Sequence, residues 1–230
     1  KPLILVRAAI LGLLLPATNN PQKDREIFLK ILTMDDEGLW ERKKASISIS
    51  DLYDNLTDKE RAYYFVSQDT KIKWKSDISN KEKNEVQKLV FSRLSYDKKI
   101  TYCVRPEEIT EIKNKSIEEI NSQLGIEATN IQEIFQQLSI KRFGEITTLG
   151  DCFAGGGSIP FEAARLGLNA YASDLNPIAT LLTWAAVNIN GASDEEIKKL
   201  KNFQKKVYDA IDKQILEWEI ETNENGWRSK

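Results

Sequence analysis

The chain contains no histidine, only two cysteines and a single methionine. Without histidine, His-based catalytic triads and imidazole metal ligands are excluded. Cys103 and Cys152 are far apart and neither belongs to a C-x-x-C pair, so the chain alone builds no zinc ribbon, and no metal site is expected. Such sparse cysteine suits a reducing compartment, which makes the cytoplasm the expected location. An excess of one charge is also missing. With 33 basic and 35 acidic residues the net charge is −2, so the totals carry no electrostatic footprint for nucleic acid. Long apolar runs are nearly absent. The one candidate, Leu3 to Leu15, is interrupted by Arg7 and is too short to span a bilayer. Pro16-Ala17-Thr18 after it offers no signal-peptide cleavage pattern. A buried helix is the expectation, with Arg7 reaching the surface or a partner, and no membrane contact. Because the sequence opens inside that helix without a methionine, a fragment of a longer chain is expected.

What is present is ordinary globular composition, 41% hydrophobic and 30% charged, with length for one core or two. Helix signals dominate residues 1–140. Asn20-Pro21 reads as a cap with a first-turn proline, and Ile27, Phe28 and Ile31 follow as an apolar stripe. Thr57-x-x-Glu60 is a capping box ahead of Tyr63, Tyr64 and Phe65. Ser79-x-x-Glu82 opens another helix with Val86, Leu89, Val90 and Leu94 on one face. Lys71 to Lys75 mixes basic and aromatic residues, but the acidic residues around it favour a solvated surface. After the break at Arg105-Pro106-Glu107-Glu108, Ser116-x-x-Glu119 is expected to cap a helix that Gly125 ends. Thr129-x-x-Gln132 opens the next, with Ile131, Ile134, Phe135 and Leu138 facing inward.

The pattern changes at Glu145. Ile146 to Leu149 is expected as a buried parallel strand, followed by Gly155, Gly156 and Gly157, a helix from Ile159 to Leu166, and a second strand from Asn169 to Ser173. Pro177 opens a helix whose expected core face is Ile178, Leu181, Leu182 and Ala185. This order is the first half of a doubly wound sheet, placed at 141–192. From 193 to 230 a long helix is expected, capped by Ser193-x-x-Glu196 and striped by Ile197, Leu200, Val207, Ile211 and Trp218. A polar tail runs from Asn223 to Lys230.

The chemistry concentrates in Asp151-Cys152-Phe153-Ala154-Gly155-Gly156-Gly157-Ser158-Ile159-Pro160. Glycines there let a ligand approach the backbone, and amides at the helix start can meet an anionic group. Asp174 follows about 20 residues later, where a carboxylate can accept hydrogen bonds from both ribose hydroxyls. Together these call for an adenosine-containing ligand. A dinucleotide pattern would place a third glycine where Pro160 stands, and Asp151 would repel a pyrophosphate. The same aspartate suits the ammonium of a methionine moiety. S-adenosylmethionine is therefore the better fit, with a dinucleotide, or a glycine turn without ligand, as the alternatives.

At these residues the sequence resembles a known family. Asp151-x-Phe153-Ala154-Gly155-x-Gly157-Ser158-Ile159-Pro160-x-Glu162-Ala163 is similar to the first motif of amino-methylating DNA methyltransferases, and Ala172-Ser173-Asp174-Leu175-Asn176-Pro177 to their second. The nearer resemblance is to large prokaryotic adenine-specific DNA methylases that carry a zinc ribbon and begin with a domain of unknown function. Lys1-Pro2-Leu3 with its apolar helix, Arg105-Pro106-Glu107-Glu108, and Ile120-Asn121 through Gly125 also fit that group. The resemblance implies an α/β, Rossmann-like methyltransferase fold, here as its first βαβα half behind a mostly helical N-terminal region. It implies that Asp151, Phe153, Gly155 and Gly157 surround the methionine end of S-adenosylmethionine, with Ala154 and Ser158 in the same motif. Asp174 would hold the ribose, Leu175 would lie near the adenine, and Asn176 and Pro177 would shape the turn beneath. Cys152 stands where the family usually has proline, which reads as a structural substitution.

The family's catalytic motif, Asp/Asn/Ser-Pro-Pro-aromatic, is missing, because the chain has no Pro-Pro dipeptide. That motif and the zinc-ribbon cysteines would lie beyond Lys230, so no catalytic residue is named and the chain alone is expected to be inactive. Transfer of the sulfonium methyl to a DNA base amino group, adenine N6 foremost, is the expected reaction of the complete protein. DNA contact is expected mostly outside this chain, and the sequence leaves open whether such modification serves restriction-modification, antiphage defence or regulation. The alternatives are an RNA methyltransferase, or a non-catalytic subunit that meets protein partners through the long helix from Ser193.

Overall fold

The computed structural model describes residues 2–68, 71–109, 111–189 and 191–218. The described residues are mostly helical, with a few short strands. They fall into two compact units. One runs through Asp151 and includes Ser158–Tyr171; the other consists of Cys152–Gly157 and the chain from Ala172 onward.

The first unit opens with α1 (Leu3–Leu14) and α2 (Pro21–Ile31). Asn20 caps α2 by accepting from the Lys23 amide, and Pro21 fills the first helical position, where its missing N–H leaves no bond unmade. Short helices α3 (Asp36–Arg42), α4 (Ile49–Asp54) and α5 (Asp58–Tyr64) follow, capped by Asp35, Ser48 and Thr57. The capping box of Thr57 and Glu60 forms as expected. The helix it opens stops at Tyr64, and the aromatic run passes directly into a hairpin that periodicity missed. Strands β1 (Phe65–Gln68) and β2 (Lys71–Trp74) pair antiparallel with Phe65 opposite Trp74. The two rings stand 4.5 Å apart, a cross-strand aromatic pair of the kind that stabilises sheets. The stretch expected to be solvated surface is thus half core: Ile72 and Trp74 pack inward while Lys73 is exposed.

Next come α6 (Asn80–Arg93), with the Ser79–Glu82 capping box in place, and α7 (Tyr96–Thr101). A single 3-10 turn at Pro106–Glu108 leads to α8 (Asn114–Leu124). This helix begins before Ser116, so Ser116 lies inside it rather than capping it; Gly125 ends it in the left-handed conformation, φ +63°. Helix α9 (Ile131–Phe143) is capped by Asn130, one position later than expected. Thr129 contributes instead by donating from its amide and hydroxyl to Glu133.

Two apolar clusters hold this unit. The larger joins α1, α2, α8 and α9 through residues such as Leu11, Ile31, Ile120 and Phe135, and includes Ala163, Leu166 and Leu168. The smaller gathers Leu39, Leu52, Phe65, Val90 and Phe91.

Strand β3 (Thr148–Asp151), helix α10 (Ser158–Arg165) and strand β4 (Asn169–Ala172) complete the strand–helix–strand passage, and β3 pairs with β4. Two expectations need correction here. The first strand begins at Thr148 rather than Ile146, and it is not buried, since its residues are exposed or half-covered, as are those of β4. A strand buried on both faces needs flanking strands and helices on each side. Among the described residues each of these strands pairs only with the other.

In the second unit, α11 (Pro177–Asn188) is followed by α12 (Asp194–Glu217), a 24-residue helix with the expected Ser193–Glu196 capping box. The face expected to be core on α11 is the outer one. Ile178, Leu181 and Leu182 are exposed, while Ala179 and Thr183 are buried. Close packing selected the small side chains, not the most apolar ones. The apolar stripe of α12 is likewise uncovered at Leu200, Val207 and Ile211. The expected tail from Asn223 lies outside the described residues. Among the described residues no helix is long and apolar enough to cross a membrane.

Candidate functional site

The loop from Cys152 to Gly157 carries two glycines with positive φ, Gly155 at +53° and Gly157 at +75°. Both are conformations that side-chain-bearing residues resist. Gly157 is doubly constrained. A Cβ there would stand 2.9 Å from the Thr183 hydroxyl and 3.0 Å from the Thr183 Cα, so helix α11 passes too close for any side chain. Gly156 is different, because a Cβ on it would meet nothing within 4 Å. Protein packing does not require glycine at that position; its bareness leaves open space above the loop.

Hydrogen bonds fix the loop's shape. The Ala154 amide donates to the Ser173 carbonyl at 3.1 Å, and the Gly157 amide to the Ala154 carbonyl at 2.8 Å. The Gly155 amide donates to Asp174 Oδ2 at 2.9 Å. The other oxygen of that carboxylate accepts from the Asn176 amide at 2.8 Å. Asn176 in turn caps α11 through its side chain, which accepts from the Ile178 amide at 3.0 Å. Thr183 closes the arrangement by donating to the Gly155 carbonyl at 3.3 Å.

The Asn176 and Gly155 amides favour the ionised carboxylate and hold Asp174 below the usual carboxylate range. Asp174 is therefore charged throughout the neutral range. A carboxylate offers about four lone-pair sites, and the Asn176 and Gly155 amides use one on each oxygen, with the Leu175 amide a weaker third partner. The acceptor capacity left beyond these amides is what a ligand hydroxyl would use.

The structure thus brings Ala154, Gly155, Gly157, Asp174 and Asn176 into one hydrogen-bonded cluster. Asp151 ends β3 just before the loop, and Ser158 begins α10 just after it. Phe153 and Leu175 add apolar surface, 75% and 93% exposed. Sequence reasoning missed Thr183. Its signal was a lone hydroxyl in the otherwise apolar turn Leu181-Leu182-Thr183-Trp184. Cys152 is a free, exposed thiol, whereas Cys103 is half-buried, with Sγ 3.1 Å from the Leu39 carbonyl and its thiol pushed upward by burial. Among the described residues no group of three acidic or cysteine side chains gathers as a metal ion would require.

No curated protein and no solved structure matches the chain. A family described as a protein of unknown function (DUF1156) matches residues 1–31, a stretch that contains α1 and α2.

Proposed function

We propose that this chain is the S-adenosylmethionine-binding part of a methyltransferase acting on an amino group of a DNA base, adenine N6 foremost. The observation that carries the reading is the bond between the Asp174 carboxylate and the Gly155 amide. It unites the acidic strand end with the glycine turn, the juxtaposition that a bound nucleoside requires. The residues fit the group. Asp174 is a half-exposed carboxylate with acceptor capacity left for a ribose hydroxyl. Gly155 and Gly156 leave their backbone open to the methionine end, with Asp151 to meet its ammonium. Leu175, 93% exposed, supplies an apolar surface for the adenine.

On this reading β3, α10, β4 and α11 are the opening βαβα portion of a Rossmann-like fold. The chain has no Pro-Pro dipeptide, so the reading assigns it cofactor binding and names no residue that transfers the methyl group.

Calorimetric titration of S-adenosylmethionine is the test. Binding in the micromolar range is expected, with at least a tenfold loss in Asp174→Ala, roughly the effect of removing hydrogen bonds to a charged acceptor. Equal affinity in the two proteins would overturn the assignment. A second reading, a non-catalytic subunit that docks a protein partner, is favoured by one observation: α12 buries none of its residues. That reading expects no cofactor binding by the folded wild type.

A further inference from the structure

Helices α3, α6 and α7 and the first turn of α8 enclose a cavity of about 340 Å³, wholly within the first unit. Small-molecule sites begin at roughly that size. Phe91, 3% exposed, and the half-buried Trp40 give it an apolar floor, their rings 5.5 Å apart and edge to face. Four lysines and three carboxylates surround that floor. Lys99 pairs with Asp36 at 2.7 Å, Lys113 with Glu41 at 3.1 Å and Lys115 with Glu37 at 3.2 Å, so Lys88 is the cation in excess.

Several polar groups that line this cavity are poorly served by the protein. Ser116 is 7% exposed, yet among the described residues its hydroxyl has no hydrogen-bond partner. The Lys99 side chain is 10% exposed. Its ammonium carries three donors and has Asp36 as its one hydrogen-bond partner among the described residues. The start of α8 is the third such group. Its N-cap residue is Lys113, which has no acceptor, and no acidic residue stands in its first turn. The amides of Lys115 and Ser116 thus lack a side-chain cap. Lys113 and Lys115 also add positive charge at the end of the helix where the macrodipole is already positive. Glu37 and Glu41 offset this only in part, because both lysines are well exposed and such pairs contribute little.

These groups call for an anion at the start of α8, attached to a flat apolar body that reaches back to the aromatic floor. We propose that the cavity binds a nucleotide, with its phosphate at the amides of Lys115 and Ser116 and its base against Trp40 and Phe91. A phosphate there meets the helix dipole and gives Lys99, Lys113 and Lys115 a common counter-ion. The Ser116 hydroxyl gains the acceptor it lacks, and the base covers apolar surface. The same chemistry is offered by a free nucleotide and by the phosphorylated end of a strand. Nothing in this site depends on the S-adenosylmethionine reading above.

The experiment titrates the wild-type chain and Lys113→Gln/Lys115→Gln with adenosine monophosphate, adenosine, inorganic phosphate and a short single strand phosphorylated at its 5′ end. The amide resonances of Lys115 and Ser116 report this cavity. The Gly155 amide reports the Asp174 site, which adenosine can also enter, so either site can fail without the other. Saturable shifts at Lys115 and Ser116 are expected with the monophosphate, at an affinity at least about tenfold above that for adenosine or phosphate alone. The double variant should melt near wild type and bind about tenfold more weakly, and Ser116→Ala about threefold more weakly. Shifts with the strand but not the monophosphate support the nucleotide assignment and name the strand end as its source. Equal affinity for phosphate and monophosphate overturns the proposal in favour of a simple ion site. Silence of both amides with every probe, or undiminished binding by a folded double variant, overturns it too. If the double variant melts far below wild type, the wild-type preference for monophosphate over its two halves decides.

Discussion

Helices α9 and α12 look alike as sequences and fare differently as structures. Each begins with a side-chain cap and carries apolar residues at helical spacing. Helix α9 buries Ile131, Ile134, Phe135 and Leu138, whereas α12, nearly twice as long, buries nothing. The difference lies in what faces them. Helix α9 shares a cluster with α1, α2 and α8, so its periodicity is converted into burial. Helix α12 is held by its own hydrogen bonds, its capping box and spaced ion pairs such as Glu195–Lys199. Periodicity states which face a helix offers; only a partner decides whether the offer is taken.

Substitutions sharpen that contrast. The largest effect is expected at Phe135→Ala, where emptying a fully buried ring site should lower stability by about 3–5 kcal/mol in denaturant unfolding. A loss below about 1 kcal/mol would mean that the cluster around α9 is looser than its burial implies. Next is Gly157→Ala. It forces a side chain into a left-handed backbone and against Thr183, and about 1–3 kcal/mol should be lost, together with cofactor binding. Gly156→Ala is its control, since that Cβ meets no protein atom. It should leave the melting temperature unchanged while weakening S-adenosylmethionine binding. The smallest effect is expected at Phe203→Ala on α12, within about 0.5 kcal/mol, because the ring is 66% exposed. A large loss there would show that the helix is covered in solution.

The two regions also differ in how legible they were. The buried stripe of α9 and the boxes at Thr57, Ser79 and Ser193 were readable because they are local: a cap and its partner are three residues apart. Asp174 and the glycines were readable because a strand–turn–helix–strand order brings them together. The β1–β2 hairpin was not, since Tyr63, Tyr64 and Phe65 continue a helical stripe and only pairing with Trp74 reveals the change. The inward face of α11 was misjudged because hydropathy favours Leu181 and Leu182, while the approach of Gly157 admits only Thr183. Glu162 was visible in the motif but its partner was not. Nothing local to Arg7 says that its cation meets a carboxylate 155 residues away.

The central claim is that Asp174 and the bare turn at Gly155–Gly157 form a nucleoside site. It is tested most directly by titrating S-adenosylmethionine into the wild-type chain while following the Gly155 and Asn176 amide resonances. Saturable shifts at both amides, absent in Asp174→Ala, are the predicted result. A folded wild-type protein whose two amides do not respond at millimolar cofactor would contradict the account.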